Sequence, residues 1–230
     1  MKLNILIAIL VIIFCLILAY DYIIHPLILA QGENKLTTIT CSDNQHRYIV
    51  YLPKHYFKNK DTKAYPVLFC FDPGKNATNA VTQFLYASHK YEWIIVGSLD
   101  AENGDWPPIL QAQEAMLLDI PKRFHVDEKK YYATGFSGGA RMAYTIAYLH
   151  PKQFKAVIPC GAGFGLPPVS KTIPVYHCIG DSDSNLDEVK RAYNYLQYFK
   201  DSTQLAIFLG GHQWPPEQVR KDAIDWIAAQ

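Results

Sequence analysis

A glycine and serine motif in the middle of the chain carries the clearest chemical meaning. Residues 131–140 read YYATGFSGGA, which contains G-x-S-x-G with Ser137 at its centre. A strand-like run precedes the motif and a helical pattern follows it, so we predict that Ser137 lies on a tight turn between a strand and a helix. On such a turn the serine Oγ is exposed, and the amide of Gly138 points toward the same place. The motif predicts a nucleophilic serine with one oxyanion donor, and the alternative is a glycine turn that caps a helix.

A serine hydroxyl is a poor nucleophile at neutral pH, so the site needs a base. Three histidines follow Ser137 in the chain, namely His150, His177 and His212. His150 is predicted to cap a helix, and His177 lies inside an apolar strand. His212 follows two glycines just beyond the last predicted strand, where a loop delivers it to the end of the sheet. We therefore predict that His212 is the base.

An acidic residue must orient the histidine, and in proteins with this motif it lies between the serine and the histidine in the chain. After a predicted strand the sequence reads IGDSDS over residues 179–184. We favour Asp183 over Asp181, because the residue nearest the strand end often points away or caps the turn. Asp187 is interpreted as a charge in the first turn of a helix.

The loop after the first buried strand is the expected source of a second oxyanion donor. It reads Asp72-Pro73-Gly74-Lys75. Pro73 has no amide hydrogen, so Gly74 or Lys75 must donate. A plain turn is an equally good interpretation of either residue taken alone.

Strands and helices alternate from residue 66 to the end of the chain. Strands are predicted at Leu36–Cys41, Arg47–Leu52, Pro66–Phe71, Trp93–Gly97, Tyr131–Phe136, Ala156–Cys160, Val175–Ile179 and Gln204–Leu209, and helices at Ala77–His89, Ile109–Phe124, Gly138–Leu149, Leu186–Phe199 and Glu217–Ala229. This order predicts a mostly parallel sheet with helices on both faces and an antiparallel hairpin at one edge. Ligands of such a sheet bind at the carboxyl ends of its strands.

Composition limits the classes of partner. Half of the 230 residues are apolar, 19% are charged and the net charge is +1. No segment gathers Lys and Arg into a basic face, so we expect no nucleic-acid partner. The cysteines have no C-x-x-C spacing, and we expect neither a metal nor a cofactor.

The cysteines beyond residue 31 are interpreted as buried thiols. Cys70, Cys160 and Cys178 each lie in a short apolar run, as buried free cysteines do. Cys160 and Cys178 are predicted to lie on neighbouring strands. They are the one pair that merits a test for a disulfide.

Residues 1–30 differ from the rest of the chain. From Leu3 to Tyr20 there is no charged residue, Lys2 precedes the run and Asp21 follows it. The run reaches the length of a membrane-spanning helix, and Lys2 favours a cytoplasmic N-terminus. We expect residues 1–30 to be an uncleaved anchor that places the domain at residues 31–230 outside the cytoplasm and tethers it to the membrane. A cleaved signal peptide, which would leave a secreted or periplasmic protein, is the alternative.

From about residue 35 onward the chain resembles the α/β-hydrolases of the polyhydroxybutyrate-depolymerase and feruloyl-esterase type. The resembling segments are Arg47–Pro53, Gly135–Ala140, Phe154–Val157, Gly180–Asp183 and Gly211–Pro215. The resemblance implies an α/β-hydrolase fold and a serine esterase that acts on small or polymer-borne esters. It supports Asp183 as the acid and implies that Trp214 contacts substrate.

The chain departs from this family in one loop and lacks a segment that related enzymes often have. Where the family usually has His-Gly, this chain has Asp72-Pro73-Gly74, and a carboxylate at Asp72 would disfavour anionic substrates. Only a short loop separates Cys160 from Ile173, where lid domains are usually inserted. The resemblance therefore implies an open site without a lid domain.

Two further functions fit the same residues. The same triad cleaves amides, so a peptidase of this fold is one alternative. A catalytically inactive, membrane-tethered binding domain is another, although all three triad candidates are present.

Overall fold

The computed structural model describes residues 9–16, 33–165, 173–199 and 202–230. Within these ranges the strands are β1 (Leu36–Thr40), β2 (Arg47–Tyr51), β3 (Tyr65–Phe71), β4 (Ile94–Ser98), β5 (Val126–Phe136), β6 (Phe154–Cys160), β7 (Val175–Gly180) and β8 (Thr203–Phe208). The helices beyond residue 33 are α1 (Tyr56–Asn59), α2 (Ala77–Thr82), α3 (Leu85–Tyr91), α4 (Trp106–Arg123), α5 (Gly138–Leu149), α6 (Leu186–Tyr198) and α7 (Glu217–Ala228).

All eight strands form one sheet in the order β1-β2-β4-β3-β5-β6-β7-β8. The strands β3 to β8 are parallel to one another. The hairpin of β1 and β2 is antiparallel and joins β4 in antiparallel register. The predicted fold class, a mostly parallel sheet with an antiparallel N-terminal hairpin, is confirmed.

Helices cover both faces of the sheet, and β3 shows why its sequence is apolar throughout. Its side chains alternate between two hydrophobic clusters, because successive residues of a strand point to opposite faces. Val67 and Phe69 belong to the cluster that includes residues of α4 and α5. Leu68 and Cys70 belong to the cluster on the other face, with residues of α2, α3 and α7. A strand covered on both faces has no polar side to present to water.

One predicted helix proved to be two. The segment Ala77–His89 was predicted as a single helix, but α2 ends at Thr82 and α3 begins at Leu85. Phe84 lies between them with φ −121°, outside helical geometry, and its side chain is buried. Its ring packs 5.9 Å from that of Trp214. The helix breaks because Phe84 turns inward, which a local periodicity does not reveal.

Two further elements begin three or more residues earlier than predicted. Helix α4 begins at Trp106 and contains Pro107 and Pro108 in its first turn, where no intrahelical amide donor is required. Strand β5 begins at Val126, which pairs with Tyr65 of β3. The sequence did not predict this earlier start, because residues 127–130 are charged and largely exposed and so lack the apolar pattern of a buried strand.

Most of the predicted anchor or signal peptide, residues 1–8 and 17–30, lies outside the described residues. The described residues 9–16 are helical, and their large apolar side chains are exposed. In the described part of the chain, no helix is both long and apolar enough to cross a bilayer. The membrane anchor, the export and the domain division stay predictions.

Candidate active site

The serine motif forms the turn from β5 into α5. Ser137 has φ 53° and ψ −118°, which places a non-glycine residue in the positive-φ half of the Ramachandran plot that glycine favours. Such a conformation persists only where the surrounding structure enforces it. Here the amide of Ser137 donates to the carbonyl oxygen of Cys160 at 2.8 Å, which ties the turn to β6.

The two glycines of the motif are required by close backbone contacts. A Cβ on Gly135 would collide with the carbonyl of Gly139, and a Cβ on Gly139 would collide with the carbonyl of Phe71 at the end of β3. Any side chain at either position would push the helix away from the strand. The spacing G-x-S-x-G therefore allows α5 to start directly against the sheet.

His212 reaches this serine from the loop after β8. Its Nε2 lies 2.9 Å from Ser137 Oγ. The imidazole packs against the ring of Phe136, with centroids 4.7 Å apart. Gly180 makes the approach of the loop feasible, because a Cβ there would collide with the carbonyls of Gly210 and Gly211.

Asp183 lies on the opposite side of the imidazole. Its Oδ2 is 2.8 Å from His212 Nδ1, and its side chain is fully buried. Its Oδ1 accepts the amide of Asn185 at 2.8 Å. Since a carboxylate only accepts, Nδ1 carries the proton and Nε2 presents its lone pair to Ser137. The arrangement is competent to remove the serine proton.

Asp181 has a different environment. Its exposed carboxylate accepts the amide of Gly210 at 3.1 Å, and this hydrogen bond is the main cause that lowers the pKa of Asp181 below its usual value. It thereby holds the base of the His212 loop rather than the imidazole. Asp187 lies in the first turn of α6, as predicted.

The two other histidines after the serine lie away from it. His150 is the residue that ends α5. His177 is fully buried, and its Nδ1 is hydrogen-bonded to Tyr144 Oη at 3.0 Å. Burial lowers the pKa of His177 to about 3. A histidine that stays neutral in the core is a packing residue.

The two predicted sources of oxyanion donors differ in availability. The amide of Gly138 is the first of α5, and the first amides of a helix have no acceptor within it. The amides of Gly74 and Lys75 have acceptors inside their own turn. Gly74 N donates to Asp72 Oδ1 at 2.9 Å, and Lys75 N donates to Asp72 O at 3.3 Å. The assignment of Gly74 or Lys75 stays a prediction.

Trp214 follows His212 by two residues and is half-buried. Its ring packs against Phe136 with centroids 5.3 Å apart and against Phe84 with centroids 5.9 Å apart. The described contacts of Trp214 thus brace the loop that carries His212. Its predicted contact with substrate stays a prediction.

The cysteines of the sheet are free thiols. Cys160 and Cys178 are register partners on β6 and β7, as predicted, and both are free thiols. Burial raises the pKa of the Cys178 thiol well above its ordinary value. Among the described residues, no three His, Cys, Asp or Glu side chains are grouped to hold a metal ion.

Three residues near the site were not found from the sequence. Asn185 orients Asp183, and Glu188 accepts the amide of Gly163 at 3.0 Å while it pairs with Arg141 at 2.8 Å. The side chain of Asn103 lies against Gly138, at the position where a Cβ of that glycine would be. These contacts join segments that are distant in the chain, so no motif or spacing predicts them.

The loop between β6 and β7, where no lid domain is expected, is described only in part. Gly161 lies beside the site, because a Cβ there would be 3.5 Å from the His212 ring, and its amide donates to Cys178 O at 2.9 Å. Residues 166–172 lie outside the described residues. The open site stays a prediction.

Comparison with known proteins identifies the fold. No family model matches the sequence, and no curated protein matches it. A thermostable esterase structure is 18% identical, with a TM-score of 0.65 over 85% of this chain and 62% of its own, so this chain spans less than two thirds of that protein. A ferulic acid esterase is 17% identical, with a TM-score of 0.64 over 86% and 98%. An S-formylglutathione hydrolase from Staphylococcus aureus is 14% identical, with a TM-score of 0.66 over 84% and 94%. At these identities the likeness concerns architecture, and the chain has the α/β-hydrolase fold.

Proposed function

We propose that this protein is a serine hydrolase that cleaves carboxylic esters through an acyl-enzyme intermediate. Ser137 is the nucleophile, His212 the general base and acid, and Asp183 the residue that orients the histidine. The observation that carries the proposal is the hydrogen-bonded chain from Ser137 Oγ through His212 to the buried carboxylate of Asp183, with distances of 2.9 and 2.8 Å.

The proposed reaction has two halves. Ser137 Oγ bonds to the ester carbonyl carbon while its proton moves to His212 Nε2, and the carbonyl electron pair moves to the oxygen. His212 then gives the proton to the departing alcohol as the tetrahedral adduct collapses to the acyl-enzyme. In the second half a water molecule takes the place of the alcohol, and the carboxylic acid leaves with the Ser137 proton restored.

Two further observations support ester hydrolysis. The amide of Gly138 begins α5 next to the nucleophile, and a helix N-terminus stabilises negative charge. The structural neighbours include proteins described as esterases, among them the ferulic acid esterase and the thermostable esterase. These names favour esters over amides as the substrate class. Small and polymer-borne esters both fit the proposal.

Covalent labelling tests the proposed function. A fluorophosphonate phosphonylates an activated serine and leaves an inert one unmodified, so we expect stoichiometric labelling of the wild-type protein. Ser137→Ala should abolish labelling and lower turnover of a short-chain ester by about 10⁴-fold or more while the protein stays folded. Ser184→Ala, which removes an exposed hydroxyl of the adjacent acid loop, is the matched control and should label like wild type. A folded wild-type protein that neither labels nor turns over esters would refute the proposal.

A further inference from the structure

The oxyanion site has one evident donor, and a tetrahedral oxyanion is usually held by two. The amide of Gly138 is available at the start of α5. In the nearby loop after β3, the two expected donors are occupied, because Asp72 accepts the amides of both Gly74 and Lys75. Pro73 between them has no N–H. Neither expected donor is free in this geometry, which leaves room for a donor from another loop.

Asn103 is placed at this point by the loop after β4. A Cβ on Gly138 would overlap the side-chain carbonyl of Asn103, so the side chain of Asn103 fills the space that a side chain at position 138 would occupy. Its Nδ2 lies 3.1 Å from the same Cβ position. Within the described part of the chain, the Nδ2 hydrogens have no acceptor, and the residue is exposed.

The backbone around Asn103 is tied to the loop after β3. Its amide donates to the carbonyl of Pro73 at 2.9 Å. The neighbouring Glu102 forms a β-bridge with Gly74 and an ion pair with Lys75 at 2.6 Å. These contacts fix the backbone from which the Asn103 side chain extends, and oxyanion stabilisation favours donors that are positioned in advance.

The distance between the two nitrogens suits one shared oxygen. A Cβ lies about 2.5 Å from the nitrogen of its own residue, by standard covalent geometry. Asn103 Nδ2 is 3.1 Å from that Cβ, so it lies at most about 5.6 Å from Gly138 N. Two N–H donors that each lie about 2.9 Å from one oxygen are at most about 5.8 Å apart. The separation of the two donors therefore falls within the range that one oxyanion spans.

We propose that the side-chain amide of Asn103 is the second oxyanion donor. When Ser137 Oγ bonds to the carbonyl carbon and its proton passes to His212 Nε2, the negative oxygen accepts hydrogen bonds from Gly138 N and Asn103 Nδ2. This role rests on the proposed ester hydrolysis. It also explains why position 138 is glycine, since any larger residue would displace Asn103.

Replacement of Asn103 tests the role. Asn103→Leu keeps the size of the side chain and removes the donor, and Asn103→Ala removes both. Both variants should lower kcat for a short-chain ester by about 10²–10³-fold with KM changed little, because the bond forms mainly in the transition state. The affinity for an alkyl trifluoromethyl ketone, which Ser137 converts to a tetrahedral oxyanion, should fall by a similar factor. Gln111→Ala removes an exposed side-chain amide elsewhere and is the control expected to match wild type.

The outcomes separate this role from the proposed function. If the wild-type protein labels and turns over esters while Asn103→Leu and Asn103→Ala stay within about threefold of it, the role of Asn103 is refuted and the hydrolase stands. A loss in KM alone would also refute the role. If thermal melts show that Asn103→Leu is destabilised, Asn103→Asp is the second test, because it keeps the shape of the side chain without an N–H donor. Wild-type turnover in Asn103→Asp would refute the role. An inactive wild-type protein refutes the hydrolase itself.

Discussion

The imidazole of His212 is hydrogen-bonded to the carboxylate of Asp183, whose Oδ2 lies 2.8 Å from Nδ1. The carboxylate of Asp181, two residues earlier, instead accepts the amide of Gly210 at the base of the same loop. Two acidic residues of one turn thus serve one loop at two different points. Asp183 contacts the ring, and Asp181 contacts the backbone that carries it.

This difference predicts opposite results for two amide substitutions. Asp183→Asn should lower kcat by several orders of magnitude, up to about 10⁴-fold, because the amide no longer selects the required tautomer. The exposed Asp181 carboxylate accepts hydrogen bonds from Gly210 N and Ser182 Oγ, and the side-chain oxygen of Asp181→Asn can accept both. The kcat of this variant should therefore stay within about tenfold of wild type. Both variants are measured on one short-chain ester at about pH 8, with thermal melts as the control for folding. An active Asp183→Asn beside an inactive Asp181→Asn would overturn the assignment of the acid.

The close approach of the His212 loop to β7 predicts a large effect of one methyl group. In Gly180→Ala the new Cβ collides with the carbonyls of Gly210 and Gly211, so His212 moves away from Ser137. We expect kcat to fall by about 10²-fold or more, since displacements near 1 Å have such effects. In Gly211→Ala the Cβ meets open space, and near wild-type kcat is expected. Equal kcat values in the two variants would show that the loop adapts to the added methyl.

Burial of His177 predicts a pH dependence of stability. Burial lowers the pKa of His177 to about 3 in the folded protein, against about 6.5 in the unfolded chain. Below about pH 6.5 the unfolded chain therefore binds a proton that the folded protein refuses. As the pH falls from about 6.5 to 3, the contribution of His177 should decrease the free energy of unfolding by up to about 1.4 kcal/mol for each pH unit.

The variant His177→Gln has no titratable ring and should show a shallower decline in urea unfolding free energy between pH 7 and 4 than the wild-type protein. Tyr144→Phe removes the hydroxyl that contacts His177 and leaves the ring buried. It should keep the wild-type dependence on pH. Identical slopes for His177→Gln and wild type would mean that His177 accepts its proton in the folded state.

The apolar run at residues 3–20 leads us to propose a membrane-anchored, exported protein. The full-length chain, expressed with a C-terminal tag, should stay in the membrane fraction after a carbonate wash and retain Met1. A soluble form that begins near Asp21 or Gln31 would instead show a cleaved signal peptide.

The sequence alone identified most of the fold and the residues of the candidate site. The periodicities of strands and helices are local, so the sequence reveals their alternation. Alternating strands and helices predict a parallel sheet, because crossover connections allow few other topologies. The G-x-S-x-G spacing predicts the turn at Ser137, since both glycines are needed where backbone segments approach too closely for a side chain. The sequence also singled out His212 and Asp183, which the structure brings together with Ser137.

The break at Phe84, the start of β5 at Val126 and the position of Asn103 were decided by the tertiary structure. Phe84 leaves helical geometry to pack against Trp214, which is more than a hundred residues away in the chain. Asn103 meets Gly138 only because β4 and β5 end on the same edge of the sheet. Local patterns record the preferences of the backbone and the side chains that face a core. Contacts between loops depend on the three-dimensional positions of several strand ends, and no short segment of sequence contains them.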